Sequence, residues 1–273
     1  MQKYSNRLKR QNKSIGFVPT MGYLHKGHLS LVRRSAEEND VTVASVFVNP
    51  LQFGPKEDFK KYPRDLKGDE AALRKAGTDV LFYPEAAQMY PHPYRTYVDV
   101  EYLNDTLCGR SRPGHFKGVS TVVAKLFNIV KPDAAYFGQK DAQQAVVIRK
   151  MTKDLNMDIR LKVMPTVREK GGLAMSSRNS YLTPGQRLDA AVIYKSLKLA
   201  RKLINNGERS LARITEEMRK LIRQKKSARI DYVDIVSADT LRPVKTIYGD
   251  LLIALAVYIG STRLIDNLKI RVR

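Results

Sequence analysis

The stretch that decides the fold is "SIGFVPTMGYLHKGHLSLVRRSAEENDVTVASVFV", Ser14–Val48. "SIGFVPT" reads as a buried strand ending at Pro19. A glycine-punctuated loop, "MGYLHKG", follows. Leu29, Val32 and Ala36 then recur at helical spacing, which predicts a helix from about Gly27 to Asn39. "VTVASVFV", Val41–Val48, is a continuous β-branched run, as expected of a strand covered on both faces. Strand, helix and strand in this order predict a βαβ unit and a parallel sheet.

The alternation continues outward. A helix is expected over Leu66–Ala76 and a strand over Val80–Tyr83, then an irregular Pro-, Tyr- and Gly-rich stretch from Pro84 to Gly118. Next come a helix near Ser120–Val130, a strand near Ala134–Phe137, a helix over Asp141–Leu155 and a strand over Asp158–Val163. After a second glycine-rich loop the organisation changes. "TPGQ", Thr183–Gln186, has an N-cap threonine, proline at the first helical position and glutamine three residues after the cap. That helix stops at "NNG", Asn205–Gly207. A second amphipathic helix carries Leu211, Ile214, Met218 and Leu221, and two strand-like runs follow. The expected class is α/β: a Rossmann-like parallel-sheet domain over residues 1–180 and a small α+β domain over 181–273.

Composition bounds the function. The chain has 273 residues, with 43% hydrophobic and 28% charged residues, as for a globular protein with a real core. Its 49 Lys+Arg against 27 Asp+Glu give a net charge of +22, which attracts anions. The cations are spread along the chain, without interleaved stacking aromatics, so specific nucleic-acid binding is not expected. With one cysteine, Cys108, no intrachain disulfide forms, and a reducing, cytoplasmic setting is expected. The basic N-terminus lacks the apolar stretch of a secretory signal. The longest apolar run, Leu251–Ile259, is too short to span a membrane.

Three loops carry chemistry. His25 and His28 stand where the first strand meets a helix. There, unpaired N–H groups and partial positive charge favour an anion. Two imidazoles could donate to phosphate oxygens as charge builds; zinc ligation and plain packing are the rival readings. "FGQKDAQQ" again runs from strand to helix, with Lys140 as a point cation, Asp141 at the helix start and uncharged Gln143 and Gln144. "GGLAMSSRN", Gly171–Asn179, adds Ser176, Ser177 and Arg178, suited to a phosphate chain, or to a domain-boundary turn.

The sequence resembles the pantothenate synthetase (pantoate–β-alanine ligase) family. The matching elements are "GFVPTMGYLHKGHLSLV", "SVFVNPLQFGPKEDFKKYPR", "RPGHFKGVSTVVAKLFNIVKPDAAYFGQKDAQQ", "VREKGGLAMSSRN" and "AVYIGSTRLIDN", in the family's order along nearly the whole chain. The resemblance implies that pantoate attacks the α-phosphorus of ATP to give an acyl adenylate, which β-alanine then aminolyses with release of AMP. It implies an ATP site from Pro19, Thr20, Met21, Gly22, Tyr23, Leu24, His25, Lys26, Gly27 and His28. Gly138, Gln139, Lys140, Asp141, Val167, Met175, Ser176, Ser177 and Arg178 complete that site. His28 is the implied catalytic histidine, with His25, Lys140, Ser176, Ser177 and Arg178 assisting. Gln52 and Gln144 are implied to hold pantoate and β-alanine. Mg²⁺ is expected with ATP, and Asp69 is its candidate ligand. A homodimer, a lid formed by the C-terminal domain and a mobile flap at "NPLQFGPKEDF" are further expectations. The rival within the wider HxGH group is a nucleotidyl transferase that stops at the adenylated product. Gly171, Gln139 and Lys26 depart from the commonest family pattern, which has acidic residues there, and the high net charge is also unusual.

Overall fold

The computed structural model describes residues 1–55 and 57–273; Lys56, inside the expected flap, lies outside the described residues. The chain forms two compact units. The first comprises Met1–Asp105, Gly109–Gln139 and Gln144–Pro165; the second comprises Thr106–Cys108, Lys140–Gln143 and Thr166–Arg273.

The elements run in the order α1 (Gln2–Arg10), β1 (Ile15–Thr20), α2 (Lys26–Glu38), β2 (Val41–Val46), α3 (Leu66–Ala76) and β3 (Val80–Phe82). Then come α4 (Ala86–Met89), α5 (Cys108–Ser111), α6 (His115–Val130), β4 (Ala134–Gly138), α7 (Ala142–Asp154) and β5 (Arg160–Met164). The later part of the second unit holds α8 (Pro184–Asn205), α9 (Leu211–Arg223), β6 (Ala228–Ser237), β7 (Gly249–Ile259) and β8 (Thr262–Val272).

Five parallel strands in the order β3-β2-β1-β4-β5 make the sheet of the first unit. All six residues of β2 are buried, as the β-branched run demands. Val18, Val32, Ala44, Leu73 and Tyr136 share one core between sheet and helices. Strand order reverses between β1 and β4. In open α/β sheets such a switch point, at the strands' carboxyl ends, is where ligands bind. Asp133 fixes the entry to both strands: its carboxylate accepts from Ile15 N at 2.7 Å and from Lys9 Nζ at 2.5 Å.

Three differences from the sequence reading have physical causes. β1 runs one residue past Pro19, which pairs in register with Ser45, so the proline sits inside the strand end. Helix α1 carries no sequence signal because only Ser5 and Leu8 are buried on it, too few for an apolar stripe. Strand β8 gives none either. It is an edge strand of the antiparallel sheet β6-β7-β8, and buried Asp266 stands in the inward row between Leu264 and Leu268, where alternation would place an apolar residue.

The second unit packs α8 and α9 on that sheet. Ile193, Leu197, Ile214 and Met218 of the helices share one core with the strand residues Val233, Leu255 and Val257. The expected capping box is present: Thr183 Oγ1 accepts from Gln186 N, and Gln186 Oε1 accepts from Thr183 N at 3.0 Å.

Candidate active site

The loop after β1 is built from the strand outward. Thr20 Oγ1 donates to Ser45 O at 2.8 Å and accepts from Gly22 N at 3.1 Å, which starts the turn. Gly22 takes φ +81°, and a Cβ there would lie 2.8 Å from Asp69 Oδ2 and Val46 Cγ1. Only glycine fits. Tyr23 follows at φ +52°.

Asp69, on α3, holds this turn. Its Oδ2 accepts from Tyr23 N at 2.8 Å and its Oδ1 from Leu24 N at 2.7 Å. The residue is only 4% exposed. Burial raises its pKa, the two N–H bonds oppose that, and Asp65 adds a smaller upward push. The expected Mg²⁺ role does not fit a buried carboxylate whose two oxygens are both committed to backbone N–H groups. Among the described residues no group of three or more His, Cys, Asp or Glu could hold a metal ion.

The two histidines form the start of α2. His25 is its N-cap, and its Nδ1 accepts from Gly27 N at 3.1 Å. His28 Nδ1 accepts from His25 N at 3.4 Å. The rings stack with centroids 3.9 Å apart and planes 20° from parallel. Because each Nδ1 accepts, each neutral ring carries its proton on Nε2. The pair is thus two oriented Nε2–H donors at a helix N-terminus, where anions are favoured. Lys26 between them is exposed.

Gln52 sits in a turn after β2 and is 8% exposed. Its Oε1 accepts from Asn49 Nδ2 at 3.1 Å, and its Nε2 donates to Met21 Sδ at 3.0 Å. Its carbonyl oxygen accepts from Arg112 Nη2 at 3.2 Å and from His115 Nδ1 at 2.7 Å. Arg112 can only donate to His115 Nε2, at 3.1 Å, so His115 carries its proton on Nδ1, the opposite tautomer. Arg112 also grips Glu57 with both Nε and Nη2, at 2.7 and 2.5 Å. Burial pushes the Glu57 pKa up, but the Arg112 hydrogen bond and charge outweigh it, and the carboxylate sits below its usual range. Sequence reasoning does not single out Asn49, Glu57, Arg112 and His115 as site residues. "NPLQ" and "RPGHF" are legible as motif text, but only folding brings them to one backbone carbonyl.

Gly118 on α6 permits this approach. A Cβ there would collide with Leu51 O and lie 2.7 Å from Gln52 N, both backbone atoms. Gly118→Ala is therefore expected to cost about 1–3 kcal/mol of stability through overpacking. It should also displace Gln52, which denaturant unfolding and substrate titration of the folded variant would measure separately.

Gly138 ends β4 beside Met164. Gln139 follows, half-buried, and Gln144 lies half-buried in the first turn of α7.

The second unit holds the remaining candidates. Lys140 Nζ is 3.4 Å from Asp141 Oδ1, and Lys140 O accepts from Asn267 Nδ2 at 2.8 Å. Val167 O accepts from Met175 N at 3.0 Å across a tight turn closed by Gly172 N to Glu169 O at 2.8 Å. Gly172 adopts φ +90°, with Tyr194 2.6 Å from where a Cβ would stand. Gly171 has open space where a Cβ would stand. Arg168 locks this turn, pairing with both oxygens of Asp266 at 2.5 and 3.0 Å and stacking 3.8 Å over Tyr194. Ser176 Oγ accepts from Arg178 N at 3.3 Å, capping a short helical turn that begins at buried Ser177.

These features define an α/β enzyme with oriented donors at the carboxyl edge of a parallel sheet. The family model described as pantoate-beta-alanine ligase matches residues 1–269. A pantothenate synthetase of Caldicellulosiruptor saccharolyticus is 54% identical over 272 residues, covering 100% of this chain and 97% of that protein. One from Thermotoga petrophila is 55% identical over 267 residues, covering 98% and 95%. The crystal structure of pantothenate synthetase from Thermus thermophilus matches with TM-score 0.93 and 46% identity, covering 98% of both chains. A pantoate-beta-alanine ligase from Francisella tularensis, crystallised with beta-gamma ATP and beta-alanine, matches with TM-score 0.79 and 36% identity, covering 98% of this chain and 93% of that one. The chain belongs to the pantoate–β-alanine ligase family, and it is a ligase.

Proposed function

We propose that the chain joins pantoate to β-alanine in two ATP-driven steps. The pantoate carboxylate attacks the α-phosphorus of ATP and pyrophosphate leaves. The β-alanine amine then attacks the acyl carbon, loses a proton, and AMP leaves. The observation that carries this reading is the stacked His25–His28 pair, each Nδ1 accepting a backbone N–H at a helix N-terminus, in a chain matched to the family over residues 1–269.

In this reading the reaction needs no protein nucleophile. Charge gathers on the phosphates in the first step, and prepositioned donors stabilise it without reorganising. His28 and His25 supply Nε2–H groups, Lys140 and Arg178 supply charge, and Ser176 and Ser177 supply hydroxyls. The ATP contacts in this proposal are Pro19–His28, Gly138–Asp141, Val167 and Met175, assigned by the family resemblance. Gln52 and Gln144 read pantoate without burying a charge. Mg²⁺ belongs to the proposal only as an ion carried on the phosphates of ATP. A homodimer in the cytoplasm is part of the same reading; among the described residues no helix is long and apolar enough to cross a membrane.

The test is product analysis with purified protein. AMP and pyrophosphate are expected to form only when pantoate is present, with β-alanine completing turnover. ATP consumption without pantoate would refute the reading, and absence of free AMP after adding β-alanine would favour a nucleotidyl transferase.

A further inference from the structure

Tyr90 belongs to none of the three chemistry-bearing loops, yet its hydroxyl donates to Asn49 Oδ1 at 2.7 Å. Asn49 is 1% exposed, and its amide makes four hydrogen bonds. Oδ1 accepts from Tyr90 and, at 3.3 Å, from Leu51 N. Nδ2 donates to Gly118 O and to Gln52 Oε1, both at 3.1 Å. A backbone N–H can only donate and a carbonyl can only accept, so this amide has one orientation.

That orientation passes on to Gln52. Its Oε1 faces the Asn49 donor, which turns its Nε2 the other way, toward Met21 Sδ. Thioether sulfur is a weak acceptor, readily exchanged for an oxygen. We infer that Tyr90 is a positioning residue: its hydroxyl steadies the Asn49 amide, whose direction Leu51 N and Gly118 O set, and Asn49 in turn keeps Gln52 presenting N–H and not C=O to its ligand, so that Gln52 selects a substrate oxygen that accepts. This rests on the reading of Gln52 as a pantoate contact; the carboxylate and hydroxyl oxygens of pantoate are such acceptors. Tyr90 is suited to the task. Its ring is fixed between Phe47, at 6.1 Å, and Tyr94, at 4.9 Å. Burial, with smaller contributions from Tyr94 and Tyr97, raises its pKa far above the usual phenol range, so the hydroxyl stays a donor.

The experiment compares wild type, Tyr90→Phe and Gln52→Glu by pyrophosphate release, with pantoate and ATP each titrated and Tm recorded. Tyr90→Phe keeps the packed ring and removes one hydrogen bond. It is expected to raise the pantoate KM about five-fold, the effect of one ordinary hydrogen bond, with kcat, the ATP KM and Tm nearly unchanged. Gln52→Glu removes the N–H and is expected to raise the pantoate KM roughly fifty-fold or more, as when a site built for a hydrogen bond loses it. An unchanged pantoate KM in Tyr90→Phe overturns the inference. So does a joint rise in both KM values with a fallen Tm, which marks a merely structural residue. A near-normal pantoate KM in Gln52→Glu overturns it too, since a carboxylate only accepts. If wild type releases no pyrophosphate with pantoate, the proposed function itself fails, and this inference with it.

Discussion

His28→Ala is expected to slow adenylate formation by about 10²-fold or more, the cost of losing one prepositioned transition-state donor. The geometry says why the loss is chemical and not structural. At the start of α2, His28 Nδ1 accepts from His25 N at 3.4 Å, a weak cap. Ring stacking on His25 goes too, but α2 keeps its N-cap bond from Gly27 N to His25 Nδ1. The expected stability change is therefore about 1 kcal/mol or less. Single-turnover measurement of pyrophosphate release, beside thermal unfolding, separates the two effects. Normal adenylation with a collapsed Tm would make His28 a packing residue.

Asp69→Ala is expected to act the other way round, through the fold. It leaves the N–H groups of Tyr23 and Leu24 without their carboxylate partner. Two bonds to a charged acceptor are worth roughly 3 kcal/mol or more together. For a chain of this size that predicts a Tm lower by about 6–12 °C. Because those N–H groups hold the turn leading into His25, adenylation should fall as well, even at temperatures where the variant is folded. Asp69→Asn keeps one acceptor oxygen and should lie between alanine and wild type in both measurements. An alanine variant with wild-type Tm would show that the carboxylate does not hold the loop. If Tm is unchanged but ATP binding loses its Mg²⁺ dependence, Asp69 is a metal ligand after all.

Much of this chain is legible in its sequence. The run Val41–Val48, rich in valine, called for a strand buried on both faces, which forms over Val41–Val46, and α2 and α3 fall within a residue or so of their expected bounds. Thr183, Pro184 and Gln186 marked the start of α8 by local chemistry alone. These signals are local, since period, cap and turn residues act within a few positions. Local rules did not reveal α1, on which only Ser5 and Leu8 are buried, or β8, whose buried Asp266 is matched by Arg168.

For the site, the sequence by itself determined the chemical inventory: two histidines at a strand-to-helix junction, a cation in each of two loops, glutamines for an uncharged contact. Tertiary structure alone decided how that inventory is oriented. Backbone N–H groups at the start of α2 put both histidine protons on Nε2. Asp69 became the brace of a turn from 45 residues away. Leu51 N and Gly118 O fixed the direction of the Asn49 amide, and Asn49 that of Gln52. Hydrogen-bond direction depends on which donors and acceptors meet in space, and residues far apart in the chain meet only once the sheet and its helices have packed.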